Sequence, residues 1–225
     1  MVEPVRKIIL ASRSPRRLDL LTKIVPVDQI VVIPPHSSEE AGFDGLHDWG
    51  RIEERLFEIV RDKQRHVLEK SKTEYQTFAL NGHPVAVLSA DTVIVVEDST
   101  YGLLVLGQPP RAPAGEEVVR RWFREFYAGK THTVVTGFVL ADWEGKTVER
   151  TVKSKVQFHP DVDQWVDWYL KTGEPWGKAG GYALQGLGSV FINEVHGSIS
   201  NVIGLPLREL IAALRELKID VLSDH

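Results

Sequence analysis

The stretch VRKIILASRSPRRLDLLTKI, residues 5–24, changes period halfway along. Val5 to Leu10, which ends in the apolar run Ile8-Ile9-Leu10, reads as a buried strand. Pro15 to Ile24 reads as a helix, with Ser14 as N-cap and Pro15 at the first helical position, where its missing N–H costs nothing. Strand, short loop and helix N-terminus thus follow one another, in a chain of 225 residues that lies within the range of one α/β domain. The same stretch poses a chemical question. Arg16 and Arg17 fall in the first helical turn, where positive charge opposes the helix dipole. Either they are solvated or paired with carboxylates elsewhere, or they hold an anion at a helix N-terminus that already presents unpaired N–H groups.

Outward from this unit, Ile30 to Ile33 reads as a second short strand, followed by a loop from Pro34 to Asp48. Within Trp49 to Ser71, Leu56, Ile59, Val60, Lys63 and Val67 recur at helical spacing, so Lys63 shares or borders the apolar face. A lysine there either snorkels to solvent or points into a cleft. Pro84 to Ser89 and Thr92 to Val96 are β-rich segments flanking Ala90-Asp91, and Tyr101 to Leu106 is a further strand. Glu116 to Tyr127 predicts an amphipathic helix with Gly129 as its C-cap. Thr131 to Leu140 and Thr147 to Phe158 predict a long hairpin about Asp142-Trp143-Glu144-Gly145. Asp161 is placed as cap of a short helix from Gln164 to Lys171, and Leu207 to Leu217 as a last helix. Eight of the 18 glycines lie between Gly173 and Gly204, in backbone kept free for turns or close ligand approach. No repeat or linker divides the chain, so residues 1–225 read as a single domain.

Composition narrows the classes of function. Hydrophobic residues make up 43% and charged residues 26%, an ordinary globular balance. There is no cysteine, which removes disulfides, thiolate metal sites and cysteine nucleophiles together. The first residues do not read as a signal peptide, and no apolar run is long enough to span a membrane; a soluble cytoplasmic protein is expected. A net charge of −4 gives no global attraction to nucleic acid, so an anionic ligand must be met by a local cluster of donors.

Four constellations could form such a cluster. Ser12 to Arg17 is the first. Asp91, between the apolar segments LSA and VIVV, is the second: a carboxylate there needs a partner, a metal or a proton to manage, or else it caps local backbone. Ser38-Glu39-Glu40 is the third, either solvated or a source of a hard oxygen ligand for Mg²⁺. The fourth is EPWGKAGGYALQG, residues 174–186, in which Lys178 and Gln185 stand on glycine-rich backbone with little local structure to support. The eight histidines show no metal-ligand spacing and are assigned to structural or surface places. No P-loop or dinucleotide-binding glycine motif is present.

Taken together, LASRSPRR (10–17), SADTVIVV (89–96), AGKTHTVVTG (128–137) and GKAGGYALQGLGSVFINEVHGSISNVIGLPL (177–207) resemble the Maf family of nucleoside triphosphate pyrophosphatases, in the family's order and over nearly the whole chain. The resemblance implies an α/β fold similar to that of inosine triphosphate pyrophosphatases: an elongated, mixed, twisted sheet flanked by helices, with two lobes around a cleft. It implies hydrolysis of a nucleoside triphosphate to the monophosphate and pyrophosphate with Mg²⁺ or Mn²⁺, and often a homodimer. By family role, Ser12, Arg16 and Arg17 hold the triphosphate, Asp91 is the general base beside the metal with Thr92 adjacent, and Glu39, or Glu40 after a one-residue shift, is the acid of the loop. Lys63 matches the family's helix lysine, with Gln64 in place of an alanine, and Gln185 matches the glutamine of the glycine-rich motif. The ADT form together with that glutamine resembles the members acting on dTTP and UTP. One departure stands out: the family's GKP is Gly107-Gln108-Pro109 here. Gln108 can donate a hydrogen bond but cannot neutralise charge. The expectation is weaker catalysis, or compensation by Lys178 or the metal. The alternative to an enzyme is a Maf-like nucleotide-binding regulator with weakened catalysis.

Overall fold

The computed structural model describes residues 7–35, 42–78 and 84–220. Its organising element is one long strand. The two segments flanking Ala90-Asp91 are continuous as β3 (Pro84–Asp98), preceded by β1 (Lys7–Ala11) and β2 (Ile30–Val32) and followed by β4 (Gly102–Leu106), β5 (Thr131–Asp142), β6 (Thr147–Phe158) and β7 (Ile192–His196). The sheet runs β2-β1-β3-β5-β6-β7, with β4 also paired to β3. β1 is parallel to β2 and β3, and the remaining pairs are antiparallel. This is the mixed sheet expected.

Along one side of β3 the partner changes. Its first half pairs with β1 as far as Ala11 opposite Ser89, and its last part pairs with β4 from Leu106 opposite Ile94. Ala90 to Val93 lie between these ladders on that side, whereas the other side pairs with β5 without interruption, Asp91 opposite Gly137 and Thr92 opposite Thr136. A break between neighbouring strands is where an open sheet offers a crevice to ligands.

Strand alternation then divides the molecule. On one face Ala86, Leu88 and Ala90 pack with α1 (Pro15–Leu21) and α6 (Leu207–Glu216) through Leu20, Leu21, Leu210 and Leu214. Farther along the same face, Ile94 and Val96 join a second cluster with α3 (Ala114–Trp122) and α4 (Val166–Lys171), rich in Phe123, Tyr127, Phe158 and Tyr169. Thr92 falls between the two clusters, which are the two lobes. On the opposite face, α2 (Trp49–Phe78) covers both halves: Val67 packs with Val87, while Ile52 and Leu56 pack with Val93 and Val95. Gly137 lets α2 approach closely, since a Cβ there would lie 3.0 Å from Leu56 Cγ.

Several local expectations are corrected. Ser14 has the extended backbone of an N-cap but its side chain makes no capping bond; instead its N–H donates to Ser12 Oγ at 3.1 Å. The Glu116–Tyr127 helix begins at Ala114 and ends in a π-turn over Phe123–Tyr127, where Ala128 N–H reaches the Phe123 carbonyl. The wider turn rotates Tyr127 into the core, where its hydroxyl donates to the Gly180 carbonyl at 3.0 Å. Asp161 makes no side-chain cap, and Asp163 pairs with Arg124 at 2.5 Å. The glycine-rich region contains a strand, β7, and a short helix, α5 (Ile199–Ile203), that the pattern of turn residues obscures.

Candidate functional site

A cleft of about 840 Å³ opens at the break in the β3 ladder. Its wall brings together Ser12, Arg16, Arg17, Lys63, Asp91, Thr92, Gln108 and Gln185 from the expected set. Lys178 lies outside this lining although its neighbours Gly177 and Ala179 belong to it. Glu39 and Glu40 lie outside the described residues.

Asp91 and Thr92 are consecutive on an extended strand and therefore project to opposite faces. Asp91 faces α2, where Lys63 Nζ stands 3.0 Å from its Oδ1, with only 15% and 18% of the two side chains exposed. Lys63 therefore points into the cleft; it does not snorkel away. Arg17 Nη2 approaches the same Asp91 oxygen at 3.6 Å. A carboxylate between two cations in a partly desolvated cleft is held in a fixed position while its charge is offset.

The two adjacent arginines have different surroundings. Arg17 is built into the scaffold: Nε donates to the Gly204 carbonyl at 3.0 Å, Nη2 to Thr92 Oγ1 at 3.1 Å, and Nη1 to Ser12 Oγ at 3.4 Å. Ser12 is buried and thereby joins the strand end, the Ser14 N–H and Arg17. Arg16, by contrast, makes no hydrogen bond or ion pair among the described residues. Burial, reinforced by neighbouring Arg17, lowers its pKa, against the opposing pull of Glu174 and Tyr169. A guanidinium in that position gains from an anion in the cleft.

The glycine-rich segment closes the far wall. Glu174 accepts from the Leu187 and Gly188 N–H groups at 2.8 and 2.9 Å and from the Tyr169 hydroxyl at 3.1 Å, which fixes the turn beside Gln185. Lys178 donates to the Glu174 backbone carbonyl, so it does support local structure, contrary to the expectation. Burial and then the charge of Arg16 lower the Lys178 pKa. Gln108 stays in the wall as a neutral donor, consistent with its sequence.

Sequence reasoning missed three contributors. Gly204 supplies the carbonyl that orients Arg17, Thr136 supports Thr92 from β5 at 2.9 Å, and buried Asn201 ties α5 to β5 and β6. The signal available for Thr136 is one polar residue within the apolar run VVTGFVL, and its meaning depends on the strand register.

Asp91 is the sole carboxylate lining the cleft among the described residues, which hold no cluster of three or more His, Asp or Glu suited to a metal. This donor set fits Mg²⁺ or Mn²⁺ only as an ion shared with a ligand, because such cations are commonly held by one or two carboxylates together with substrate phosphates.

Comparison with known proteins identifies the family of the chain. A family model described as Maf-like protein matches residues 7–217. A dTTP/UTP pyrophosphatase of Syntrophus aciditrophicus (strain SB) is 34% identical over 212 residues, 94% of this chain and 90% of that protein. One of Anaeromyxobacter dehalogenans (strain 2CP-C) is 36% identical over 213 residues, covering 93% of each. Among solved structures, a nucleoside-triphosphatase/dITP/XTP pyrophosphatase of Mycobacterium abscessus aligns over 94% of this chain and 96% of its own, at 15% identity and a TM-score of 0.43. With a family model spanning nearly its full length, the chain belongs to the Maf-like protein family.

Proposed function

We propose that the chain is a nucleoside triphosphate pyrophosphatase that takes dTTP or UTP and cleaves the α–β anhydride to give the monophosphate and pyrophosphate. The observation that carries this reading is the meeting of Asp91, Lys63 and Arg17 in a cleft that Arg16 also lines, with no ion pair of its own among the described residues. The names of the full-length relatives point to the same reaction and base preference.

In this reading Arg16 binds phosphate oxygens, and Arg17, held from behind, adds positive potential at a fixed point. Asp91 orients a water and takes its proton as the water oxygen bonds to phosphorus and the bridging oxygen leaves with pyrophosphate. Lys63, 3.0 Å from Asp91, keeps the carboxylate aimed from the α2 side and adds positive potential there. A divalent cation shared between Asp91 and the phosphates would neutralise part of their charge. Gln185 and Gln108 contribute hydrogen bonds from the far wall. The family resemblance further points to a homodimer in the cytoplasm; among the described residues no helix is long and apolar enough to cross a membrane.

The test is pyrophosphate release across a panel of ribo- and deoxyribonucleoside triphosphates with Mg²⁺, with Mn²⁺ and with chelator, on the native protein and on Gln108→Lys. Steady release with dTTP and UTP above the purine nucleotides is the expected result. Binding without release by the native protein, with release gained in Gln108→Lys, would instead favour a nucleotide-binding regulator.

A further inference from the structure

We propose that Thr136 is a positioning residue for the anion site: it turns the Thr92 hydroxyl into an acceptor for Arg17 and so sets where that guanidinium points. The inference rests on the reading of the cleft as a polyphosphate site.

Thr136 Oγ1 lies 3.2 Å from the backbone carbonyl of Asn201, a group that can only accept, so the Thr136 proton goes there. Thr136 Oγ1 is also 2.9 Å from Thr92 Oγ1. With its own proton committed, Thr136 accepts at that contact, and Thr92 donates. The Thr92 oxygen then faces Arg17 Nη2 with lone pairs only, at 3.1 Å. Every group is satisfied when the chain runs one way, from Arg17 to Thr92 to Thr136 to the Asn201 carbonyl.

The far end of this chain does not move easily. Thr136 and Asn201 are both fully buried. The Asn201 amide donates to the Val134 carbonyl at 3.2 Å and to Ser154 Oγ at 3.0 Å, and Ser154 donates in turn to the Ser198 carbonyl at 3.1 Å. The same short segment holds Arg17 a second time, through the Gly204 carbonyl. Arg17 is therefore gripped at Nε by one end of the segment and at Nη2 by a chain ending in its middle. A consequence follows for Thr92: its proton is spent inside the protein, so it serves the site through Arg17 and does not donate to a phosphate.

The experiment measures binding of inorganic tripolyphosphate by calorimetry, beside pyrophosphate release, for Thr136→Val, Thr136→Ser, Arg17→Ala and the double variant Thr136→Val/Arg17→Ala. Thr136→Val should weaken tripolyphosphate binding about tenfold, as expected for misdirecting one charge-assisted contact, whereas Thr136→Ser should stay within about twofold of the native protein. In the Arg17→Ala background, adding Thr136→Val should change binding by less than about twofold, because the coupling partner is gone. A purely structural role would weaken binding in both backgrounds and would overturn the proposal, as would native affinity in Thr136→Val. Should Thr136→Val fail to fold, Thr92→Val against Thr92→Ser reads the same bond in the same cycle. A native protein that binds tripolyphosphate but releases no pyrophosphate from any nucleotide overturns the assigned activity alone, one that releases pyrophosphate but binds no tripolyphosphate overturns the positioning proposal alone, and one that does neither overturns both.

Discussion

Lys63 Nζ on helix α2 and Asp91 Oδ1 on strand β3 are 3.0 Å apart, with most of both side chains withdrawn from solvent. The contact follows from parity. Odd-numbered residues of β3 face α2, as Val87, Val93 and Val95 show, and Lys63 lies on the stripe of α2 that also carries Leu56, Val60 and Val67. Asp91→Asn should reduce pyrophosphate release below detection while nucleotide binding stays measurable, because the amide keeps the shape and cannot take a proton. Lys63→Ala should lower kcat by about 100-fold or more. Near-native turnover in Asp91→Asn would show that another group handles the water.

The two arginines should separate by their effect on folding. Arg16→Ala should raise KM about tenfold, the value of one charge-assisted contact to phosphate, and leave the urea midpoint unchanged, since Arg16 has no bond within the described scaffold. Arg17→Ala should also cost about 2 kcal/mol of stability, because it strands the Gly204 carbonyl and removes the donor to the Thr92 oxygen. Parallel kinetics and urea denaturation on both variants check this, and equal stability losses would contradict it.

His132 supplies a pH dependence of folding. It is buried with Nε2 2.7 Å from the Tyr182 hydroxyl and, among the described residues, no hydrogen-bond partner for Nδ1. Burial lowers its pKa to about 3. Between about pH 6.5 and about 3 the unfolded chain binds a proton that the folded one refuses, so this contribution is complete above pH 6.5 and is lost as pH falls. The loss is roughly 1.4 kcal/mol per pH unit within that window. His132→Gln should flatten the acid limb of unfolding free energy against pH. An unchanged slope would show that the imidazole is already charged in the fold.

Gly180 should be the least replaceable residue of the far wall. Its φ of +67° is in the left-handed region, and a Cβ would stand 2.4 Å from the Tyr127 hydroxyl and 2.6 Å from Ile94 Cγ1. Gly180→Ala should therefore cost more than about 2 kcal/mol, and kcat/KM should fall with it because the Tyr127 bond to this loop is lost. Gly145→Ala is a useful control: its φ is +88° but open space surrounds it, so only the conformational cost of about 1–2 kcal/mol applies.

Period and punctuation in the sequence determined β1 and the helix after it, the β5–β6 hairpin, the helix that carries Lys63, and α6. These elements have local causes: apolar spacing, Pro15 in the first turn, and a turn at Asp142–Gly145. The residue types of the cleft were legible as well, because arginines against a helix dipole and an aspartate inside an apolar strand are locally unfavourable and need an outside reason. Only the tertiary structure decided what each of them faces. Strand alternation sends Asp91 to Lys63 and Thr92 to Arg17, the ladder break at Ala90–Val93 opens the cleft, and register places Thr136 behind Thr92. The adjacent arginines part for the same reason: Gly204 and Thr92 meet Arg17 from distant parts of the chain and leave Arg16 facing the cleft. Contacts of that kind depend on where the backbone brings remote residues, and side-chain pattern along one segment carries no record of them.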